Sequence, residues 1–136
     1  VKMTDCIFCK IVKGEVPADK VYEDDNTFAF LDINPTTAGH TLVIPKNHSE
    51  TIMDMKKEDL DKLIETVQKV SIALEKYSEG VNLLQNNHEV AGQIVPHVHF
   101  HVIPRKAGDG VSLGHWHKAE GVDMKKVQEE IKGLLN

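Results

Sequence analysis

Three imidazoles occupy alternate positions in the segment Pro96-His-Val-His-Phe-His-Val-Ile-Pro104, at His97, His99 and His101. Imidazole is the side chain most readily used as base, nucleophile or metal ligand near neutral pH. On a strand, alternate residues share a face. The three rings would then point one way, each about 6.5 Å from the next. Val98, Phe100 and Val102 would point the other way, into a core. Three ionisable groups are costly to bury, so their shared face is expected to be a cleft. A plain solvent-facing strand would accept Thr, Lys or Glu as readily, and does not account for three histidines. One metal ion held by all three fails on reach: His97 and His101 would lie about 13 Å apart, against a zinc–nitrogen bond of about 2.1 Å. The remaining reading divides the labour. A middle imidazole, His99, attacks phosphorus and forms a covalent phosphoramidate that water then cleaves. A neighbouring imidazole donates to the departing oxygen or holds a phosphate oxygen. His99 then needs its attacking nitrogen free and its other N–H tied to an acceptor. Just upstream, Ala91-Gly92-Gln93 could turn backbone amides toward phosphate oxygens.

A second pattern is Cys6-x-x-Cys9, which contains both cysteines of the chain. In a reducing compartment such a pair is more often a metal or redox site than a disulfide. Thioredoxin-like use would want the pair between a strand and a helix, and here no strand precedes it. Cys6, Cys9, His48 and His97 would complete a Cys₂His₂ zinc set. His97 would then be structural, leaving His99 for chemistry. His40 competes as fourth ligand, or supports the triad. The alternative is two reduced cysteines that only pack.

The elements that must position these residues can be read in outline. Ile7, Phe8, Ile11 and Val12 recur at helical spacing, which makes a short helix carrying Cys9 close to Cys6. Lys20–Glu23, Thr27–Asp32 and His40–Ile44 read as strands separated by turn residues. From Lys56 to Tyr77, Leu60, Leu63, Ile64, Val67, Val70, Leu74 and Tyr77 mark one face of a long helix. Val81–Gln85 is an apolar strand, and His97–Ile103 follows a glycine-containing loop. Asp123–Leu135 is a short amphipathic helix with Asp123 as N-cap. This is an α+β domain: a five-stranded antiparallel sheet, one long helix, a short N-terminal helix and a C-terminal helix. Residues 106–122 form a long irregular stretch.

The 136 residues fit one domain, 1–136. With 40% hydrophobic residues the chain can bury a core. The net charge of -5 argues against a broad nucleic-acid surface. It leaves room for a small anionic ligand held by local groups. No apolar run approaches the roughly 20 residues of a membrane span, and the first residues do not read as a signal peptide. A cytoplasmic protein with no membrane partner is expected.

These residues resemble the histidine triad (HIT) family, whose mark is His-φ-His-φ-His-φ-φ. It reads here as His97-Val-His99-Phe-His101-Val-Ile. The likeness runs over about residues 5–105. It includes Tyr22-Glu-Asp-Asp25, Phe30-Leu-Asp-Ile-Asn-Pro35, Gly39-His40-Thr-Leu-Val-Ile-Pro-Lys46, His48 and Ala91-Gly92-Gln93. It points to the bacterial Hint-like branch, with 106–136 as a C-terminal extension. The resemblance implies a purine nucleoside phosphoramidate hydrolase or nucleotidyl transferase acting through a nucleotidyl-histidine. A dinucleoside polyphosphate hydrolase and a nucleotide-binding regulatory module are its rivals. It implies His99 as nucleophile, His101 at the phosphate or leaving group, and His97 and His40 in support. Asp32 would take the ribose, and Ile7, Phe8, Ile11 and Leu31 would line the base pocket. Asn86, Gly92 and Gln93 would meet the phosphate. Galactose-1-phosphate uridylyltransferase, of the same superfamily, is similar in its zinc pattern, which supports Cys6, Cys9, His48 and His97 as the ligands. A homodimer with joined sheets is implied. The sequence departs from the family pattern twice. Ile94 stands where relatives often have a phosphate-contacting Ser or Thr, and His88 replaces a common glycine. In Hint-like proteins the C-terminus shapes specificity, which would bring Trp116, within His115-Trp116-His117, near the substrate or to a dimer contact.

Overall fold

The computed structural model describes residues 5–114 and 118–135, so His115, Trp116 and His117 lie outside the described residues. In chain order the elements are α1 (Ile7–Val12), β1 (Lys20–Glu23), β2 (Thr27–Leu31), β3 (Thr41–Pro45), α2 (Lys57–Glu75), β4 (Gly80–Gln85), β5 (Phe100–Arg105) and α3 (Met124–Leu135). The five strands form one antiparallel sheet in the order β1-β2-β3-β5-β4. This is the expected α+β arrangement. β5, which carries His101, therefore lies between β3 and β4.

Strand alternation sorts the side chains into two layers. Phe28, Phe30, Leu42 and Ile44 pack with Cys6, Phe8, Cys9 and Ile11 on the α1 face. Ala29, Val43, Val98 and Val102 pack with Leu63, Val67, Val70 and Leu74 on the α2 face. Burial of each large apolar side chain contributes roughly 1.5–3 kcal/mol. The long helix ends at Glu75, short of the expected Tyr77, which lies beyond it and is exposed, and on α2 itself the buried stripe differs from the expected one at two places. Ile64 is exposed, and Thr66 is buried in its stead. The Thr66 hydroxyl lies 2.7 Å from the Thr27 hydroxyl, which itself donates to Asp24 Oδ1. A satisfied hydroxyl can be buried where an unsatisfied one would be costly.

The expected strand His97–Ile103 begins three residues later, at Phe100. Val43 pairs with Phe100, which ends the ladder on the β3 side. The preceding segment is extended but pairs with a loop, Val98 N–H donating to Ser49 O. The alternation of faces survives without the ladder: Val98 and Val102 go to the α2 core, and His97, His99 and His101 to the α1 side.

The loop between β4 and His97 carries a local conflict. His88 sits at φ 72, ψ 153, a region that is nearly glycine-only. Such a conformation costs about 1–3 kcal/mol in a residue with a Cβ. Glycine there gives back about 0.5–1 kcal/mol through its freedom in the unfolded chain. His88→Gly is therefore expected to stabilise the fold by about 1 kcal/mol, read as a higher urea midpoint. An unchanged or lower midpoint would contradict the strain. α3 is capped by Asp123, whose Oδ1 accepts the Lys126 N–H at 3.2 Å. Its apolar residues Val127, Ile131 and Leu134 are exposed.

Candidate active site

Four side chains from three distant segments converge below α1. Cys6 and Cys9 come from the start of α1, His48 from the loop after β3, and His97 from the segment before β5. His97 Nε2–H donates to Pro45 O at 2.8 Å, so its bare Nδ1 faces the cluster. From Nδ1 the distances are 3.4 Å to Cys6 Sγ, 3.6 Å to Cys9 Sγ and 3.1 Å to His48 Nδ1. Cys9 Sγ lies 3.4 Å from His48 Nδ1. A tetrahedral ion with bonds of about 2.1 Å to nitrogen and 2.3 Å to sulfur needs edges of roughly 3.4–3.8 Å. The donor set and its spacing fit a bound metal ion of that kind. Burial, followed by the effect of Cys6, pushes the Cys9 thiol up to about 11. A coordinated cation reverses that, because a coordinating thiol is deprotonated.

His99 is held by the same residue. Its Nδ1 lies 2.8 Å from His97 O. A carbonyl only accepts, so Nδ1 carries the proton and Nε2 keeps its lone pair. Phe8 stands edge-on to this ring, with centroids 5.2 Å apart. Burial lowers the His99 pKa, which favours the neutral ring.

His40 and His101 form a separate relay. The Thr36 N–H donates to His40 Nδ1 at 3.1 Å. His40 must then carry its proton on Nε2, which lies 2.9 Å from His101 Nδ1. His101 accepts there and presents Nε2–H on its far side. Asp32 Oδ2 lies 3.6 Å from His40 Nε2. Asp32, His40 and His101 also group three metal-ligand atoms within 4.8 Å. A metal would need His40 Nε2 bare and Nδ1 protonated, facing the Thr36 donor. The tautomer therefore makes this group a hydrogen-bond relay, and His40 does not join the cysteine set.

His101 is held down to about 4, by burial first and then by repulsion from His99 and His40. A histidine in the unfolded chain takes its proton near pH 6.5. Between those values the unfolded chain binds more protons than the folded one. Stability is therefore full above about pH 6.5 and falls as the pH drops toward about 4. Urea midpoints at about pH 7.5 and about pH 5 check this, and equal midpoints would contradict it.

A cavity of about 420 Å³ opens beside the histidines. Apolar side chains (Phe8, Ile11, Phe30, Leu42, Ile94 and Val95) line it together with Asp32, Asn34, His99 and His101. That size and a mostly apolar lining with a few polar groups suit a small ligand. Of the residues singled out in the sequence, Ile7, Phe8, Ile11, Asp32, Gly92 and Ile94 line the cavity. Leu31 does not. It alternates with Phe30 along β2, and Phe30 takes the wall. That alternation was visible in Thr27-Phe-Ala-Phe-Leu31 and could have identified Phe30. Asn86 and Gln93 act on the loop instead of the cavity. Asn86 Nδ2 donates to Gly92 O at 3.4 Å, and Gln93 Oε1 accepts the His88 N–H at 2.7 Å. The expected amide cradle at Ala91, Gly92 and Gln93 is also spent. Their N–H groups donate to His88 O, Glu89 O and His88 O. Gly92 is required where it is: its φ is +98, and a Cβ would meet Asn86 Nδ2 at 3.3 Å.

The HIT domain family matches residues 13–108. The chain belongs to the HIT family. Among its HIT relatives is an adenosine 5′-monophosphoramidase of Schizosaccharomyces pombe, 43% identical over 133 residues, covering 96% of this chain and 98% of that protein. The crystal structure of a HIT family protein from Bacillus anthracis superposes with TM-score 0.89 at 39% identity, covering 97% of this chain and 96% of the other. A zinc-bound HIT protein from Mycobacterium smegmatis superposes with TM-score 0.78 at 34% identity, covering 98% and 99%. His97, His99 and His101 all lie within the matched region.

Proposed function

We propose that this HIT protein hydrolyses purine nucleoside phosphoramidates through a covalent nucleotidyl-His99 intermediate. The observation that carries this reading is the His99 tautomer. Its Nδ1–H is tied to the His97 carbonyl, and its Nε2 lone pair is free beside the cavity. Asp32 offers a carboxylate to the ribose, and Phe8, Ile11 and Phe30 offer apolar surface to the base. Nε2 attacks phosphorus, a P–N bond to His99 forms, and the bond to the leaving amine breaks. The amine leaves with the electron pair and a proton from solvent. His101 is neutral, so its Nε2–H serves best as a donor to a phosphate oxygen. The Ile94 N–H, which has no acceptor among the described residues, is a second donor. Water then adds to phosphorus and gives up a proton to solvent, the P–N bond breaks with its electron pair returning to His99 Nε2, and the mononucleotide leaves.

Cys6, Cys9, His48 and His97 hold structural zinc in this account, and a reducing cytoplasmic setting keeps the two thiols from pairing instead. No described helix is long and apolar enough to cross a membrane. The protein acts as a homodimer joined at β4. β4 is an edge strand, and it leaves Leu83 and Leu84 exposed. An exposed apolar edge is a template for pairing with another strand.

The test is AMP release from adenosine 5′-phosphoramidate beside AMP binding by calorimetry. Saturable release with binding supports the hydrolase. Binding without release supports a nucleotide-binding module, and neither would remove the reading.

A further inference from the structure

A second cavity, of about 610 Å³, adjoins the nucleotide cavity, and the two share Gly92 and Ile94 as a common wall. Glu50, His88 and Glu89 line its other sides. Ile94 is 90% exposed, so its apolar side chain is free to meet a ligand at the junction. The walls are fixed by one buried side chain. Gln93, 5% exposed, donates from Nε2 to Glu50 O at 2.6 Å and accepts the His88 N–H on Oε1 at 2.7 Å. Gln93 thereby pins the Glu50 backbone to the turn that carries Glu89. Glu50 and Glu89 thus both border the second cavity, which meets the cavity of His99 and His101 at Gly92 and Ile94.

We propose that this second cavity receives the leaving group and selects an amine whose body is apolar and carries no negative charge. This rests on the hydrolase reading above. Ile94 provides a contact for the apolar body but offers no side-chain hydrogen bond. Glu50 and Glu89 repel an anionic leaving group, and among the described residues no Lys or Arg lines either cavity. A sulfate, a phosphate chain or a carboxylate-bearing amine would enter against that field. Specificity of this kind comes from rejecting the wrong partner as much as from binding the right one.

The experiment compares two adenosine phosphoramidates of equal length, one made from an alkylamine and one from the matching amine with a terminal carboxylate. We expect kcat/KM for the neutral compound to exceed that for the anionic one by roughly tenfold at low salt. High salt should narrow the ratio. Ile94→Lys, an exposed position, should shift the ratio toward the anionic compound by at least about fivefold, and Glu50→Gln should shift it in the same direction. Equal kcat/KM for both compounds in the wild type, or an unchanged ratio in Ile94→Lys, would overturn the proposal and leave the hydrolase reading intact. If neither compound is cleaved although AMP binds, the hydrolase reading fails and the proposal falls with it.

Discussion

His99→Asn lowers kcat for AMP release by roughly 10³- to 10⁶-fold, the range seen when a covalent nucleophile is removed. Asparagine is the informative replacement. Its side-chain amide is placed to keep donating to the His97 carbonyl, which His99 Nδ1 meets at 2.8 Å. It has no lone-pair nitrogen at the position of Nε2. The fold and the cavity should survive, because Phe8 and Phe30 remain packed across the apolar wall. AMP affinity should change by less than about tenfold, equivalent to about 1.4 kcal/mol. Calorimetric binding and steady-state rates on the same preparation separate the two effects. A variant that binds AMP and retains wild-type turnover would sink the nucleophile assignment.

Cys6→Ser should have the second large effect, on stability. The four ligand atoms belong to residues 6, 9, 48 and 97. A metal ion there ties α1 to the end of β3 and to the segment carrying the triad. An ion bound to the folded state alone, at a free concentration about a thousandfold above its dissociation constant, contributes about 4 kcal/mol. Replacing one thiolate removes most of that. We expect metal content well below one per chain and a urea midpoint lower by the equivalent of about 3–5 kcal/mol. Metal analysis and urea unfolding, each with and without a chelator, check this. Unchanged metal content in Cys6→Ser would remove the assignment.

Much of this arrangement was legible in the sequence because it depends on period. The alternation at His97, His99 and His101 placed three rings on one side even though regular pairing begins only at Phe100. The apolar spacing of α2 held at Leu63, Val67, Val70 and Leu74. Ile64 and Thr66 exchanged places because a Thr27 hydroxyl across the core satisfies Thr66, and such long-range pairing leaves no periodic trace. The C-x-x-C pair pointed to a metal set, His48 and His97 were its candidate partners, and the four residues do converge. Loop detail was hidden for a different reason. The amides of Ala91, Gly92 and Gln93 close a tight turn on His88 and Glu89, so composition suggested an anion cradle that the hydrogen bonding has already consumed. The tautomers of His40, His97 and His99 depend on Thr36, Pro45 and His97 backbone groups, and no sequence pattern encodes those.

The most direct test of a covalent nucleotidyl-His99 is the stereochemical course at phosphorus. A substrate made chiral at phosphorus with oxygen isotopes, turned over in labelled water, reports it regardless of how briefly an intermediate lives. Each in-line displacement inverts configuration, so attack by His99 followed by attack by water should give net retention. Net inversion would mean that water attacks the substrate directly, and would contradict the covalent mechanism.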